Sequence, residues 1–196
     1  VPYPCVLKPL GLSASRGVIR ADTPEQFTAA FERIRAILDA PELRKRRRRQ
    51  DRYLQVESYI EGREFAIEGL VTRGKLQTLA VFDKPDPLAG PYFEETVYTT
   101  PSREPEALQD SLRRAAQRAV SALGLRHGPV HAEMRANDSG VWMLEAAARP
   151  IGGLCAKALR FRLPGAAAPV PLEELVLRHA VGEDVSAACP ADPAAG

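Results

Sequence analysis

The sequence predicts an α+β fold in which a small lobe precedes a larger lobe built on an antiparallel sheet. Two hairpin signals, at 72–75 (TRGK) and 137–140 (NDSG), separate neighbouring strand patterns and so favour antiparallel pairing. Two amphipathic helical patterns, beginning at Pro24 and Pro105, lie between strand patterns. With 196 residues and 45% hydrophobic content, the chain can bury one sizeable core or two small lobes.

The small lobe is predicted at 1–56. Its first strands are expected at 4–8 (PCVLK) and 18–20, on either side of a flexible polar loop at 11–17 (GLSASRG). The helix that follows has an N-cap residue, Thr23, a proline in its first position and a glutamine placed to close a capping box. Four apolar residues at helical spacing are predicted to form its inner face: Phe27, Phe31, Ile34 and Leu38.

A connecting strand at 57–64 leads to the large lobe at 65–185, and a low-complexity tail at 186–196 is predicted to be disordered. The elements of the large lobe are predicted in chain order as strands at 64–71, 76–82 and 92–100, a helix at 105–123 closed by Gly124, the hairpin around 137–140, a helix from Gly152-Gly153 to about Phe161, and a last helix at 172–182.

The second hairpin carries two glutamates and an arginine that point to chemistry. If residues 138–140 form a three-residue loop with Gly140 at positive φ, the register sets Glu133 directly opposite Glu145. Two facing carboxylates repel each other and destabilise a sheet, whereas a hard cation such as Mg²⁺ relieves that repulsion. Arg149, four residues beyond the second glutamate, is placed to meet an anion held by the metal. The arrangement predicts a site for a metal-bound phosphate.

The alternative is an edge hairpin whose glutamates point into water, as most surface carboxylates do. The first strand of the hairpin alternates between two kinds of residue, which predicts two different faces. The apolar face would contain Val130, Ala132 and Met134. The other face would contain three ionisable residues, His131, Glu133 and Arg135.

The composition argues against several functional classes. A formal net charge of +2 is too near neutrality to indicate nucleic acid binding, and the basic run at 44–49 (RKRRRR) has no interleaved aromatic residues to stack bases. No apolar run approaches the length of a membrane span. Three widely spaced cysteines suggest free thiols in a reducing compartment, so the predicted location is cytoplasmic. We therefore expect neither a nucleic acid nor a membrane partner.

Three further segments are candidates for contacts with a nucleotide. Lys8 precedes the loop at 11–17, whose backbone N–H groups could wrap phosphate oxygens, although a plain turn is the alternative. The segment VESYIEGRE offers strand backbone to an adenine edge, with Glu57 and Glu64 on either side of a glycine turn; a charged edge strand is the alternative. The Gly152-Gly153 helix start presents N–H groups that favour an anion, or forms a tight turn.

Taken in order, VLKP with its Gly/Ser loop, VESYIEGRE and HAEMR…WMLEAAARPIGG resemble the ATP-grasp superfamily over about residues 2–182. GPYFEET and RPIGG are most similar to carnosine synthases and L-amino-acid ligases, with biotin carboxylase and D-alanine–D-alanine ligase more distant. The resemblance implies two α/β lobes clasping ATP between them, and a carboxylate–amine ligase that works through an acyl phosphate. It implies ATP and Mg²⁺ as cofactors, with Mn²⁺ as a substitute, and small-molecule carboxylate and amine substrates, and it allows a homodimer.

The resemblance also implies roles for individual residues. Glu133 and Glu145 would hold Mg²⁺, with Glu145 bridging two ions, and Arg149 would be the catalytic residue that stabilises the transferring phosphoryl group or the acyl phosphate. Nucleotide contacts are implied for seven positions, which are Lys8 at the α- and β-phosphates, Ser13, Ser15 and Gly17 in the loop that closes over them, Glu57 and the backbone of Ile60 at the adenine, and Glu64 at the ribose.

The sequence departs from the family pattern at Ala147, where many relatives carry a metal-binding Asn, and a second Mg²⁺ would then have one ligand fewer. The family's N-terminal domain would precede the first strand, and a further domain would follow residue 185, so part of the substrate site is expected outside these 196 residues. Lys84, Glu94 and Glu95 are expected to reach the amine or the carboxylate substrate. Two alternatives remain open: a biotin-carboxylase-type domain that makes carboxyphosphate, and a nucleotide-binding segment without turnover.

Overall fold

The computed structural model describes residues 1–45, 48–86, 90–93 and 97–191. The chain forms two compact units: Val1–Ile60 with Asp86–Thr96, and Glu61–Pro85 with Val97–Gly196.

The proline-rich segment after residue 85 belongs to a different unit from the one that the sequence predicts. The sequence-based boundaries assign it to the large lobe, whereas the structure assigns Asp86–Thr96 to the first unit. Hydrogen bonding explains the difference, because the Arg20 N–H donates to the carbonyl of Pro91 at 2.9 Å. Ile19 also forms an isolated antiparallel bridge with Tyr92.

The first unit contains a three-stranded antiparallel sheet. Its elements in chain order are β1 (Cys5–Pro9), β2 (Ile19–Ala21), α1 (Pro24–Leu38), α2 (Pro41–Arg44), a 3₁₀ turn (Arg49–Arg52) and β3 (Leu54–Ser58). β1 lies in the centre of the sheet and pairs with both β2 and β3. A small core of buried side chains joins the sheet to α1: Cys5, Leu7, Ile19, Ala21, Ala30 and Ile34.

The helix α1 begins as predicted, with two differences of detail. The Gln26 N–H donates to Thr23 Oγ1 at 3.3 Å, but the Gln26 side chain accepts from the Asp22 N–H, one residue before the position that a capping box uses. Phe31, predicted on the inner face, is 40% exposed, because Ala30 takes the buried position in that turn. The buried face of α1 is therefore narrower than the apolar spacing in the sequence predicts.

The second unit contains a four-stranded antiparallel sheet in the order β5-β4-β6-β7 and a small sheet in the order β10-β8-β9. Its elements are β4 (Arg63–Thr72), β5 (Lys75–Lys84), α3 (Glu106–Ala122), β6 (His127–Asn137), β7 (Gly140–Ala147), α4 (Gly153–Ala158), β8 (Arg160–Arg162), β9 (Val170–Pro171), α5 (Leu172–Ala180) and β10 (Cys189–Pro190). Within the described ranges, no helix combines the length and the apolar composition that a bilayer crossing needs.

The two faces of the four-stranded sheet are both covered, but differently. One face packs against α3 through an apolar cluster that includes Phe65, Ile67, Val81, Leu112, Ala116, Val130, Ala132 and Met134. The predicted apolar face of β6 is therefore confirmed. The opposite face packs against α4, α5 and the small sheet through Ala66, Leu70, Phe82, Phe161, Leu172 and Leu175. The same face also carries buried charged side chains from β4, β5 and β6.

Three predicted elements of the second half differ from the structure. No strand covers the described part of 92–100, where only isolated bridges form, including one between Asp83 and Thr99; residues 94–96 lie outside the described ranges. The helix expected to reach Phe161 ends at Ala158 and is followed by β8. The tail is not fully disordered, because β10 pairs with β8 and covers its open edge.

Two histidines stack on each other at the beginning of β6. The ring centroids of His127 and His179 are 4.0 Å apart and the ring planes differ by 11°. His179 is buried, and its Nε2 lies 2.8 Å from Thr72 Oγ1. Burial, together with the neighbouring His127, lowers the pKa of His179 below its ordinary value of 6.5. The stacked pair is therefore built around a neutral His179.

We expect the stacked pair to make the free energy of unfolding depend on pH in mildly acidic solution. Because the folded-state pKa of His179 is lowered, its contribution is fully present above about pH 6.5 and is lost as the pH falls toward the folded pKa. Urea unfolding between about pH 5 and 8 measures this in wild type and in His179→Gln. The difference in unfolding free energy between the two proteins should shrink toward the acid end. A difference that does not change with pH would contradict the assignment.

Candidate functional site

The two glutamates of the second hairpin pair as predicted, but through a different geometry. Glu133 lies opposite Glu145 in the β6–β7 register. The structure pairs Asn137 with Gly140, so the loop contains two residues and not the three that the prediction assumes. A β-bulge between Glu133 and Met134 then shifts the register by one residue and restores the glutamate pair. Gly140 takes the predicted positive φ, at 129°.

Glu133 is a half-buried, charged carboxylate held by three neighbours. Its Oε1 accepts a hydrogen bond from Lys84 Nζ at 2.9 Å, and lies 3.3 Å from both Tyr98 Oη and His131 Nε2. Burial alone would raise the pKa of Glu133, but His131 and Lys84 outweigh it and lower the pKa to about 2. The side chain is therefore an anion throughout the neutral range.

Glu145 lies on β7, the edge strand of the sheet, and is exposed. The pair thus combines one anchored carboxylate with one that faces solvent. Carboxylate oxygens are the ligands that Mg²⁺ prefers, and Mg²⁺ commonly takes only one or two of them and completes its shell with phosphate oxygens and water. In the part of the chain that the structure describes, no group of three or more His, Cys, Asp or Glu side chains is placed to hold a metal. The two glutamates fit a Mg²⁺ that is shared with a phosphate ligand.

A row of three charged side chains crosses the sheet beside this pair. Glu64 pairs with Lys84 on one side and with Arg135 on the other. Its Oε1 accepts from Lys84 Nζ at 2.8 Å and its Oε2 from Arg135 Nε at 3.0 Å, and all three side chains are buried. Lys84 thereby bridges Glu64 and Glu133. The buried row fixes the position of the Lys84 ammonium group.

These contacts bear on two predicted roles. Glu64, predicted to bind a ribose, is 7% exposed and engaged through both carboxylate oxygens, and the ribose role stays a prediction. Lys84, predicted to reach a substrate, is held between two glutamates. Glu94 and Glu95, predicted to act with it, lie outside the described residues.

Arg149 follows β7 and is exposed, with its Nη1 donating to the carbonyl of Pro150 at 3.1 Å. The next backbone N–H, of Ile151, donates to the buried Glu68 carboxylate at 2.9 Å. The helix that follows Gly152 has only six residues. The Ile151 N–H is thus taken by a carboxylate of the protein itself, and the anion site at the Gly152-Gly153 helix start stays a prediction.

In the first unit, Lys8 and Glu57 contact each other, although the predicted roles place Lys8 at the phosphates and Glu57 at the adenine of a nucleotide. Lys8 on β1 and Glu57 on β3 form an ion pair of 2.5 Å, because these strands are neighbours in the sheet. Both side chains are partly exposed, at 25% and 31%. Ile60, predicted to offer its backbone, is half-buried just beyond β3. The pairing holds the Lys8 ammonium beside the end of β3.

The Gly/Ser loop of the first unit has an unusual backbone. Ala14 and Ser15 take φ values of 56° and 52°, and Gly17 takes 80°. Left-handed conformations are uncommon for residues other than glycine and collect at functional sites. The Val18 N–H donates to the Ser15 carbonyl at 3.0 Å and closes the turn. A cavity of about 520 Å³ lies beside the loop, bordered by Leu12, Ser13, Arg16 and Gln50 among others.

The sequence reasoning did not assign roles to Glu68, which contacts His131, or to His131 and Tyr98, which contact Glu133. A signal for the first was present, since Glu64 and Glu68 are four residues apart on one strand and therefore share a face. No local pattern in the sequence predicts that β4 pairs with β6, because 54 residues that include a helix separate Thr72 from His127.

The comparisons with known proteins identify the family. The family model described as an ATP-grasp domain matches residues 1–158. The chain belongs to the ATP-grasp domain family. The resemblance read from the motifs is thus confirmed, and so is the α+β fold.

Relatives of this ATP-grasp domain include two ligases. Carnosine synthase 1 from Gallus gallus is 37% identical over 87 residues, which are 44% of this chain and 9% of that protein. The crystal structure of L-amino acid ligase from Bacillus licheniformis superposes with a TM-score of 0.71 at 28% identity, covering 99% of this chain and 43% of that one. The ATP-grasp domain therefore spans less than half of the length of either relative.

A third relative shares the fold at lower identity. It is the biotin carboxylase domain of the Hydrogenobacter thermophilus 2-oxoglutarate carboxylase, a dimer crystallised with MgADP, ADP and bicarbonate. The TM-score is 0.66 at 20% identity, over 94% of this ATP-grasp domain and 38% of that chain.

Proposed function

We propose that the chain is the ATP- and Mg²⁺-dependent domain of a carboxylate–amine ligase that acts on amino acids or small carboxylic acids through an acyl phosphate. The observation that carries the proposal is the glutamate pair: Glu133 is anchored and charged, Glu145 faces it from the edge strand, and Arg149 follows. The similarity to an L-amino acid ligase and to carnosine synthase 1 supports it.

In the proposed site, Glu133 and Glu145 hold Mg²⁺, which when bound neutralises charge on the β- and γ-phosphates. Because Lys84, His131 and Tyr98 hold the Glu133 carboxylate in place, it needs little reorganisation to bind a cation.

The nucleotide contacts are proposed for the residues that the resemblance implies. Lys8 contacts the α- and β-phosphates as a positive charge, and the loop containing Ser13, Ser15 and Gly17 offers backbone N–H groups to them. Glu57 accepts from the adenine amino group and the backbone at Ile60 contacts the ring. Glu64 is the proposed ribose ligand, which would require one of its ion pairs to rearrange.

The proposed reaction has two steps. The substrate carboxylate attacks the γ-phosphorus, the bond between that phosphorus and the β–γ bridging oxygen breaks, and ADP leaves. The amine then attacks the acyl carbon of the acyl phosphate, inorganic phosphate leaves and the amine loses a proton. Arg149 stabilises the negative charge on the transferring phosphoryl group, and the protein contributes mainly position and electrostatics.

A second candidate is a carboxylase-type domain that phosphorylates bicarbonate. It is favoured by the shared fold with the biotin carboxylase domain crystallised with MgADP and bicarbonate. ADP release measured with amino-acid pairs and with bicarbonate separates the two candidates. Dependence on amino acids supports the ligase, and dependence on bicarbonate alone overturns it. Nucleotide binding with no ADP release in either case favours a binding segment without turnover.

The first test of the proposal is calorimetric titration with a non-hydrolysable ATP analogue, with and without Mg²⁺. We expect Lys8→Ala to weaken binding by about tenfold or more, because a charge-assisted contact to phosphate is lost. Lys45→Ala is the matched control, since Lys45 is an exposed lysine of the same unit, and it should bind as wild type does. Equal affinities for the two variants would contradict the phosphate role of Lys8.

A further inference from the structure

A line of polar contacts runs through the second unit from the segment after Arg149 to Glu133. The Ile151 N–H donates to Glu68 Oε2 at 2.9 Å, and the same oxygen lies 3.3 Å from His131 Nδ1. On the other side of the ring, His131 Nε2 lies 3.3 Å from Glu133 Oε1. The register explains the line, because β4 and β6 pair Glu68 with His131.

Glu68 and His131 are ionisable residues at positions where burial makes a charged side chain energetically unfavourable. Glu68 is fully buried and His131 is 5% exposed. Among the described residues, neither Glu68 Oε1 nor His131 Nδ1 has a hydrogen-bond partner, and Nδ1 meets Glu68 Oε2 as an ion-pair contact of 3.3 Å. Burying a carboxylate is unfavourable unless it is fully paired, and well-packed apolar residues often give equal or greater stability. Stability alone therefore does not account for the pair, and a positioning role does.

We infer that Glu68 and His131 are positioning residues that hold the Glu133 carboxylate and the backbone carrying Arg149 in a fixed relation to each other. The inference rests on the proposed function, in which Glu133 binds Mg²⁺ and Arg149 meets the phosphoryl group. Glu68 fixes the backbone two residues after Arg149. His131 fixes Glu133 Oε1 from one side, and Lys84 holds the same oxygen from another. A shift in either glutamate is thereby transmitted to the other end of the line.

Substituting His131 by glutamine or by asparagine tests the two contacts of its ring one at a time. A glutamine at position 131 places its amide nitrogen near the site of Nε2, so His131→Gln keeps a donor for Glu133. An asparagine places its amide nitrogen near the site of Nδ1, so His131→Asn keeps a donor for Glu68 and loses the one for Glu133. The two variants differ by one methylene group and act on opposite halves of the line.

The first arm of the test uses the ligand-free chain and follows hydrogen exchange at the Ile151 amide. We expect exchange to be about tenfold faster in Glu68→Leu, because the acceptor is lost. Glu68→Gln keeps an amide oxygen as acceptor and should exchange at nearly the wild-type rate. His131→Gln should speed exchange as well, since its donor no longer reaches Glu68. Wild-type exchange at Ile151 in Glu68→Leu overturns the inference without reference to any ligand.

The second arm measures calorimetrically the affinity for a non-hydrolysable ATP analogue, with and without Mg²⁺. Residues that orient a metal ligand typically contribute about 10- to 100-fold to metal affinity. We therefore expect His131→Asn to weaken the Mg²⁺-dependent affinity by about tenfold or more and to leave the metal-free affinity unchanged. His131→Gln should recover most of the loss. The matched control is His179→Gln, which removes another buried histidine of the same unit, in contact with Thr72 and His127, and should bind as wild type does.

The outcomes separate the inference from the proposed function. If Mg²⁺-dependent binding is present in wild type and in both His131 variants but absent in Glu145→Ala, the proposed function stands and the positioning role is overturned. If wild type shows no Mg²⁺-dependent binding, the proposed function fails and the metal-directed half of the inference fails with it. Loss of binding in His131→Asn with an unchanged melting temperature, reversed in His131→Gln, supports both.

Discussion

Replacing Glu145 by alanine is expected to abolish Mg²⁺-dependent nucleotide binding without lowering the melting temperature of the chain. The expected loss is at least about 100-fold, since removing even a residue that only orients a metal ligand costs about 10- to 100-fold in metal affinity. Stability should change by no more than about 0.5 kcal/mol, because Glu145 is exposed on an edge strand and faces a like charge. Function and stability therefore separate at this position.

Glu133→Ala is the informative comparison with Glu145→Ala. Both glutamates are proposed to bind Mg²⁺, but Glu133 is held by neighbouring side chains whereas Glu145 is exposed. Glu133→Ala should lose the same Mg²⁺-dependent binding and also about 3 kcal/mol of unfolding free energy, since the buried Lys84 and His131 would each lose one of their carboxylate partners. Titration with a non-hydrolysable ATP analogue and thermal unfolding measure the two quantities. If Glu145→Ala binds the Mg²⁺-loaded analogue as tightly as wild type does, the metal site is not where we propose it.

Glu64→Leu is expected to destabilise the second unit by about 3–5 kcal/mol. The substitution removes the anion shared by Lys84 and Arg135, whose side chains are only 3% and 4% exposed. Removing one partner of a buried ion pair is strongly destabilising, because the remaining charges lose a compensating anion in a poorly solvated place. Lys84 would keep its contact with Glu133.

Glu174→Leu is the matched control for this prediction. It also removes a glutamate from an ion pair with an arginine, but Glu174 and Arg178 lie on the surface of α5 with side chains 41% and 39% exposed. Solvent-exposed pairs contribute about 1 kcal/mol or less, so the control should unfold near the wild-type denaturant concentration. Urea unfolding of both variants gives the comparison. Equal destabilisation in the two would mean that the buried row does not contribute as a network.

The glutamate pair shows how a prediction from sequence can be confirmed although its geometry is wrong. Alternating apolar and polar residues along β6 correctly put Glu133 on the face opposite Met134, because side chains alternate across a strand. The loop has two residues and not three, and the bulge between Glu133 and Met134 compensates for the difference. A bulge depends on how the strand packs against its neighbours, and a local pattern does not contain that information.

The sequence by itself determined helices α1, α3 and α5, the two hairpins, the alternation along β6 and the family, because each follows from short-range periodicity, turn chemistry or the order of motifs. Only the tertiary structure decided that β4 lies between β5 and β6. That arrangement surrounds Glu133 and Glu64 with Lys84, His131 and Arg135, which come from strands far apart in the chain. Strand order in a sheet is set by burial of both faces over the whole unit, and long-range partners are therefore invisible in any local window.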